Sequence, residues 1–192
     1  MQRKCRLRSW SLSTPRFGAL LASGVAEIRE ADLPGDREAV ARLWLDYLMW
    51  GNDGLGSRYG FRLPVQEAVE HDLSSIAKFQ SPDGRLLLAF EDGVAVGTAA
   101  LQRIGPETAE IKRMWVDPSH RRAGTGRAML DQLVTAAQNA GYRRVRLDSP
   151  DFMTAAHALY RSIGFAYVGP YPESEIPDRY KSHWVFMELV LS

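Results

Sequence analysis

The chain of 192 residues has a single cysteine, Cys5. A disulfide within the chain and a cysteine-based metal cluster are therefore excluded. Four histidines, His71, His120, His157 and His183, show no metal-ligand spacing, so no metal is expected. No run approaches the ~18 apolar residues that a helix needs to span a bilayer, and no membrane role is expected. The net charge of +1 provides no broad basic field, so nucleic acid is not an expected partner. The common nucleotide signatures are missing too. A dinucleotide fingerprint would need glycine where Met129 stands, and no Gly-Lys-Ser/Thr follows as in a P-loop.

The N-terminal region has basic residues but no acidic ones. Residues 1–24 contain Arg3, Lys4, Arg6, Arg8 and Arg16 and no Asp or Glu, which leaves −4 for residues 25–192. Arg16 and Pro15 interrupt any secretory-type apolar stretch. The head reads as a basic, disordered extension, with an organelle-targeting segment as the alternative, and the rest as one domain over 25–192. A cytoplasmic protein is the expectation.

What is present is a regular alternation of elements. Val25–Ala31 alternates as a strand, and Asp36 is placed to cap a helix. Val40, Leu43, Trp44, Tyr47 and Leu48 share one helical face. Gly51–Gly60 reads as a flexible loop by composition. A second amphipathic helix follows Pro64, over Val65 to Ala77. Arg85–Phe90 and Val94–Arg103 flank the turn "EDG" as a hairpin. In the strand Ala109–Val116, strict alternation sets Glu110, Lys112, Met114 and Val116 on one face and Ile111, Arg113 and Trp115 on the other. A helix over Met129, Leu130, Leu133, Val134 and Ala137 ends at Gly141. Arg143–Ser149 is a strand, Ser149-Pro150 opens a helix that ends at Gly164, and two strands close the chain. The order β α α β β β α β α β β predicts an α/β fold: a mixed, mostly antiparallel central sheet with helices on both faces.

The stretch "RRAGTGR", Arg121 to Arg127, joins a strand to a helix. The first N–H groups of a helix lack internal partners, and the helix dipole adds positive potential there. Gly124 and Gly126 let a bulky group approach the backbone, and the arginines add charge-assisted donors. Such a turn suits a phosphate or pyrophosphate.

The segment "MWVDPSHRRAGTGRAML" resembles the signature of the GNAT-type N-acetyltransferases, Arg/Gln-x-x-Gly-x-Gly/Ala after a strand ending in Val-x-Pro, here Arg121-x-x-Gly124-x-Gly126. The stretch "AAHALYRSIGFAYVG", Ala155–Gly169, is similar to that family's second motif, a helix ending in Leu-Tyr followed by Gly-Phe. Arg122 stands where the family most often has glycine. The likeness covers residues 25–191 and leaves out the basic head.

The resemblance implies an acetyltransferase that takes acetyl-CoA as donor and a primary amine as acceptor, with direct attack in a ternary complex. It implies the pyrophosphate on the turn, at Arg121, Arg122, Ala123, Gly124, Thr125, Gly126 and Arg127, and the pantetheine arm beside Met114, Trp115 and Val116. It implies that this strand and the next splay apart, and that Tyr160, at the Leu-Tyr position, gives the thiol its proton. Glu110 is the candidate base, six residues before Val116, with a water chain as the alternative. A backbone N–H near Val116 is the candidate oxyanion donor. For the acceptor, Trp44, Tyr47, Trp50 and Tyr59 lie where the family covers its substrate. Glu173, Glu175 and Asp178 add negative charge in the loop Tyr171–Trp184, which suits a small cationic amine. Three other readings stay open: a protein or peptide N-acetyltransferase, a non-catalytic acyl-CoA-binding module, and, against the charge balance, a nucleic-acid binder. Sheet-edge pairing in the family leaves a homodimer as an option.

Overall fold

A computed structural model describes residues 26–192. The basic head and Val25 lie outside the described residues. Seven strands form one sheet in the order β1-β2-β3-β4-β5-β7-β6. They are β1 (Glu27–Glu30), β2 (Arg85–Glu91), β3 (Val94–Gly105), β4 (Thr108–Val116), β5 (Arg144–Pro150), β6 (Ala166–Val168) and β7 (Trp184–Val190). Only β4 and β5 run parallel; the other neighbours are antiparallel. The helices are α1 (Arg37–Tyr59), α2 (Val65–Ser74), α3 (Thr125–Asn139) and α4 (Thr154–Arg161). The element order and the mixed sheet agree with the sequence expectation.

The central strands are apolar on both faces because helices cover both. Leu87, Ala89, Ile111 and Leu147 face α3 and α4, against Met129, Leu130, Leu133 and Phe165. Leu86, Leu88, Ala100 and Trp115 face α1 and α2, against Leu43, Trp44 and Val69. Gly141, in the left-handed region at φ 80°, ends α3, and the Tyr142 N–H then reaches back to the Ala137 carbonyl at 3.1 Å.

Several local expectations need correction. Residues 51–59 are helical and continue α1, which ends only at Gly60. The glycines there serve close packing: a Cβ on Gly54 would overlap the Phe152 ring, and one on Gly56 would lie 3.2 Å from Arg62. Asp36 precedes α1 without capping it, because its carboxylate accepts from the Arg29 guanidinium at 2.6 and 2.9 Å. The second helix is shorter than its pattern, ending at Ser74 before a 3₁₀ turn over Ile76–Phe79. Pro150 ends β5, paired with Trp184, and α4 begins at Thr154.

A further correction lies in β4. Thr98 pairs with Trp115, but Ala100 pairs with Lys112, so β4 holds one extra residue between them. This is a β-bulge, and Arg113 within it has φ 53°. The bulge resets the alternation. Met114 and Val116 pack with the α3/α4 core, whereas Trp115 packs with the α1/α2 core. Ile111 and Met114 therefore share a face, and Glu110 does not lie on the side of Met114 as strict alternation requires.

Candidate active site

The parallel pairing of β4 with β5 ends at Glu110 and Arg146. Both strands continue, to Val116 and Pro150, paired with β3 and β7 but no longer with each other. The sheet splays there, and the β5-facing edge of β4 is left open along the bulge.

At the end of β4 the chain passes through a 3₁₀ turn, Pro118–His120, and enters the Arg-Gly stretch. Gly124 precedes α3 with φ 87°, and Arg122 also has positive φ, 76°. The first helical bond of α3 runs from the Ala128 N–H to the Gly124 carbonyl at 3.0 Å. The N–H groups just before it point out of the helix end without a backbone acceptor among the described residues. A Cβ on Gly126 would lie 3.7 Å from Leu159, 3.8 Å from Met114 and 3.9 Å from Val116. The turn, the end of β4 and α4 therefore meet at Gly126, beside the open edge. Free N–H groups, a helix end and a glycine floor fit a pyrophosphate with an extended arm along β4.

The arginines are arranged less simply than their spacing suggests. The Arg121 guanidinium lies 4.4 Å over the Trp115 ring and donates to the Val116 carbonyl at 2.8 Å. Arg127 is held by Asp131 through bonds of 2.9 and 3.0 Å. Arg122 is exposed.

Tyr160, on α4, is buried, and burial pushes its phenol above the ordinary range, with the Tyr47 phenol adding to the rise. Tyr47 comes from α1 on the opposite face of the sheet, so the splay brings groups from both faces together.

On the α1/α2 side the splay opens into a cavity of about 280 Å³. Tyr47, Leu48, Leu55, Leu63 and Val65 form one wall; Ile176, Pro177 and Trp184 form another; Glu110, Lys112, Arg113 and Asp148 line the floor. Past its rim the Tyr59 ring stacks on His183 at 4.1 Å and Phe61 on Tyr180 at 4.3 Å. The Tyr59 hydroxyl also donates to Asp151. The end of α1 is thereby tied to the segment between β6 and β7.

The Acetyltransferase (GNAT) family model matches residues 54–165, more than half of the chain. The chain belongs to the GNAT acetyltransferase family. An uncharacterised N-acetyltransferase of Schizosaccharomyces pombe is 28% identical over 167 residues, 86% of this chain and 94% of that protein. The N-alpha-acetyltransferase RimI of Mycobacterium tuberculosis is 38% identical over 93 residues, 46% of this chain and 56% of that one. Among solved structures, the PaiA N-acetyltransferase of Thermoplasma acidophilum, in complex with coenzyme A, superposes with a TM-score of 0.66 at 18% identity. That match covers 86% of this chain and 98% of the other. The likeness to that structure concerns the fold.

Within this acetyltransferase the sequence-derived residues separate into groups. Met114, Val116, Gly124, Thr125 and Gly126 come together at the splay. The Trp115 side chain points to the other face, 5.1 Å from the Trp50 ring and 5.7 Å from Tyr47, and braces α1. Tyr47 and Glu175 line the cavity. Trp44 does not: it is fully buried against Phe79 at 5.5 Å, because the apolar stripe that suggested a substrate wall is the core face of α1. Glu173 does not line it either and pairs with Arg146 at 3.2 Å. Tyr59 does not line it and stacks on His183 instead.

Glu110 is buried on the cavity floor. Tyr171 donates to one oxygen at 2.8 Å and Gln102 to the other at 2.8 Å, with the Lys112 ammonium 3.9 Å away. Burial raises its pKa above the ordinary value, opposed chiefly by Lys112. Lys112 pairs with Glu175. Burial alone would raise Glu175, but Lys112 brings it below the ordinary range.

Two groups had no signal in the sequence pattern. Asp72, on α2, is buried and accepts from Arg113 at 2.8 Å and Lys78 at 2.9 Å. Burial works against its charge, but the two cations prevail and lower its pKa. It fixes the bulged residue. Asp148, on β5, accepts from the Ser174 hydroxyl at 2.9 Å through one oxygen. Burial raises its pKa. Both aspartates sit inside ordinary-looking elements and acquire their roles only from distant partners. Among the described residues no cluster of His, Cys, Asp or Glu could hold a metal, and no helix is long and apolar enough to cross a membrane.

Proposed function

We propose that this acetyltransferase moves the acetyl group of acetyl-CoA to the primary amine of a small molecule, by direct attack with both substrates bound. The observation that carries the reading is the splay itself, with the α3 turn on one side and the cavity on the other.

The N–H groups from Arg122 to Arg127, with the α3 dipole, hold the pyrophosphate, and Arg122 adds charge from the rim. The open edge of β4 beside Met114 and Val116 takes the pantetheine arm as a strand takes a neighbour. A free β4 N–H at the bulge is positioned to donate to the developing oxyanion. Tyr160 keeps its proton because its site is dry, and gives it to the departing sulfur. Glu110 holds negative potential at the floor, where an ammonium must arrive.

The match to the RimI enzyme favours a peptide acceptor as the second reading. A peptide needs an open groove. The stacking of Tyr59 on His183 and Phe61 on Tyr180 ties the end of α1 to the segment before β7, and this supports the small-molecule reading.

The test is free-thiol release from acetyl-CoA with a panel of amines and peptides, using Gly124→Glu as control. The added carboxylate repels the pyrophosphate and enters its place. CoA affinity should fall ~100-fold or more, with loss of turnover, as expected when a like charge is set beside the pyrophosphate. Turnover of peptides alone would establish the second reading, and CoA binding unaffected by Gly124→Glu would remove the proposed phosphate site.

A further inference from the structure

The cavity floor carries two acidic groups whose surroundings differ. Each Glu110 oxygen already accepts a hydrogen bond, from Tyr171 or Gln102. Asp148 accepts only from Ser174 among the described residues, through Oδ2. It stands on β5 two residues beyond the last β4–β5 pair, where the sheet has opened. Its neighbours are Glu110, Lys112 and Arg113 from β4, Glu175 and Tyr171 from the segment after β6, and Tyr47 from α1. The cations among these are engaged: Lys112 with Glu175, and Arg113 with the buried Asp72. Asn52 also lines the cavity, with its amide engaged by the Leu63 backbone at 2.8 and 2.9 Å, and the rest of the wall is mainly apolar, including Leu48, Leu55, Leu63, Val65, Ile176 and Trp184.

Resting on the acetyl-transfer reading above, we propose that Asp148 receives the acceptor's ammonium and acts as its base, and that the acceptor is a small primary monoamine with an apolar body. One charge finds one free carboxylate oxygen. A second ammonium, or the carboxylate of an α-amino acid, would meet the apolar wall unpaired, at a large desolvation cost. A volume of about 280 Å³ suits a body the size of one aromatic ring with a short chain.

Asp148 takes one proton from the ammonium and passes it to solvent. The freed lone pair forms the C–N bond at the thioester carbonyl, and the C–S bond breaks. Tyr160 gives the leaving sulfur its proton, and the second proton lost from nitrogen restores the phenol. The products are an N-acetyl amine, a free thiol and one released proton.

The experiment compares 2-phenylethylamine, phenylalanine and 1,4-diaminobutane on wild type, Asp148→Asn and Asp148→Glu, with CoA binding as the check on folding. Isothermal titration of 2-phenylethylamine without acetyl-CoA gives a second readout. Wild type should prefer 2-phenylethylamine at least tenfold in kcat/KM. Asp148→Asn should lose about 100-fold in kcat/KM, as for removal of a positioned base. It should also weaken the titrated amine about tenfold and leave CoA affinity unchanged. Asp148→Glu should recover part of both losses. Equal or better use of phenylalanine or 1,4-diaminobutane overturns the proposed acceptor class alone. An Asp148→Asn enzyme with wild-type kinetics overturns the role of Asp148. If none of the three amines is acetylated while CoA binds, the small-amine reading falls, and this inference with it.

Discussion

Residues 114–127 form the proposed donor side as one unbroken stretch, whereas the cavity wall comes from five separated ones, at 47–55, 63–68, 110–113, 148–153 and 175–184. The first works through backbone: N–H groups at the α3 end, a positive φ at Gly124 and a bare Cα at Gly126. The second works through side chains whose charges are set by partners far along the chain, such as Tyr171 on Glu110 and Ser174 on Asp148. A backbone site is a local property of the chain. A side-chain site is a property of the packing, and it can change without touching the fold.

The two sides meet at the bulge, so the strongest way to break the contrast is to remove what fixes the bulge. Asp72→Ala leaves Arg113 and Lys78 without their carboxylate. We expect a loss of about 3 kcal/mol in urea unfolding, the lower end of the range for uncompensated buried charge, since both cations keep some exposure. The wild-type contribution of Asp72 is present above its ordinary pKa of 3.8 and is lost as pH falls through the lowered folded value. The variant should therefore lose less stability than wild type in that acid range.

Tyr160→Phe separates the sides without disturbing either. The ring still packs and only the proton is gone. A fall in kcat of about 100-fold with unchanged CoA affinity is expected, and stopped-flow binding beside steady-state rates checks it. Unchanged kcat would return Tyr160 to a packing role.

Glu110→Gln gives the smallest effect and concerns the cavity alone. Burial raises the Glu110 pKa, so wild type is progressively disfavoured as pH rises from about 4.5 through the folded value. The variant escapes that loss. Urea midpoints should coincide near pH 4 and diverge in favour of the variant toward neutrality, by about 1 kcal/mol, the usual scale for a single substitution. An inverse trend would mean that Lys112, Tyr171 and Gln102 outweigh burial and lower the pKa.

Some expectations failed for reasons that can be traced to particular residues. The glycines of 51–56 suggested a loop because glycine disfavours helix by about 1 kcal/mol. Phe152, nearly a hundred positions away, packs on the bare backbone of Gly54 and offsets that preference. Trp44 and Tyr47 occupy one apolar stripe, yet one is core and the other lines the cavity, because only Tyr47 lies over the splay. Alternation in β4 misplaced Glu110 relative to Met114, because a bulge of one residue reverses every later side chain.

The order of elements, the two-faced sheet, the glycine turn before α3 and the position of Tyr160 on its helix were determined by the sequence itself. Each depends on periodicity, on glycine at fixed offsets or on a contiguous motif, which are physical properties of neighbouring residues. The splay, the bulge at Arg113, the Asp72 clamp and the cavity with Asp148 at its floor were decided only by the tertiary structure. They arise where strands stop pairing and where charges from distant elements meet, and no local stretch of chain carries that information.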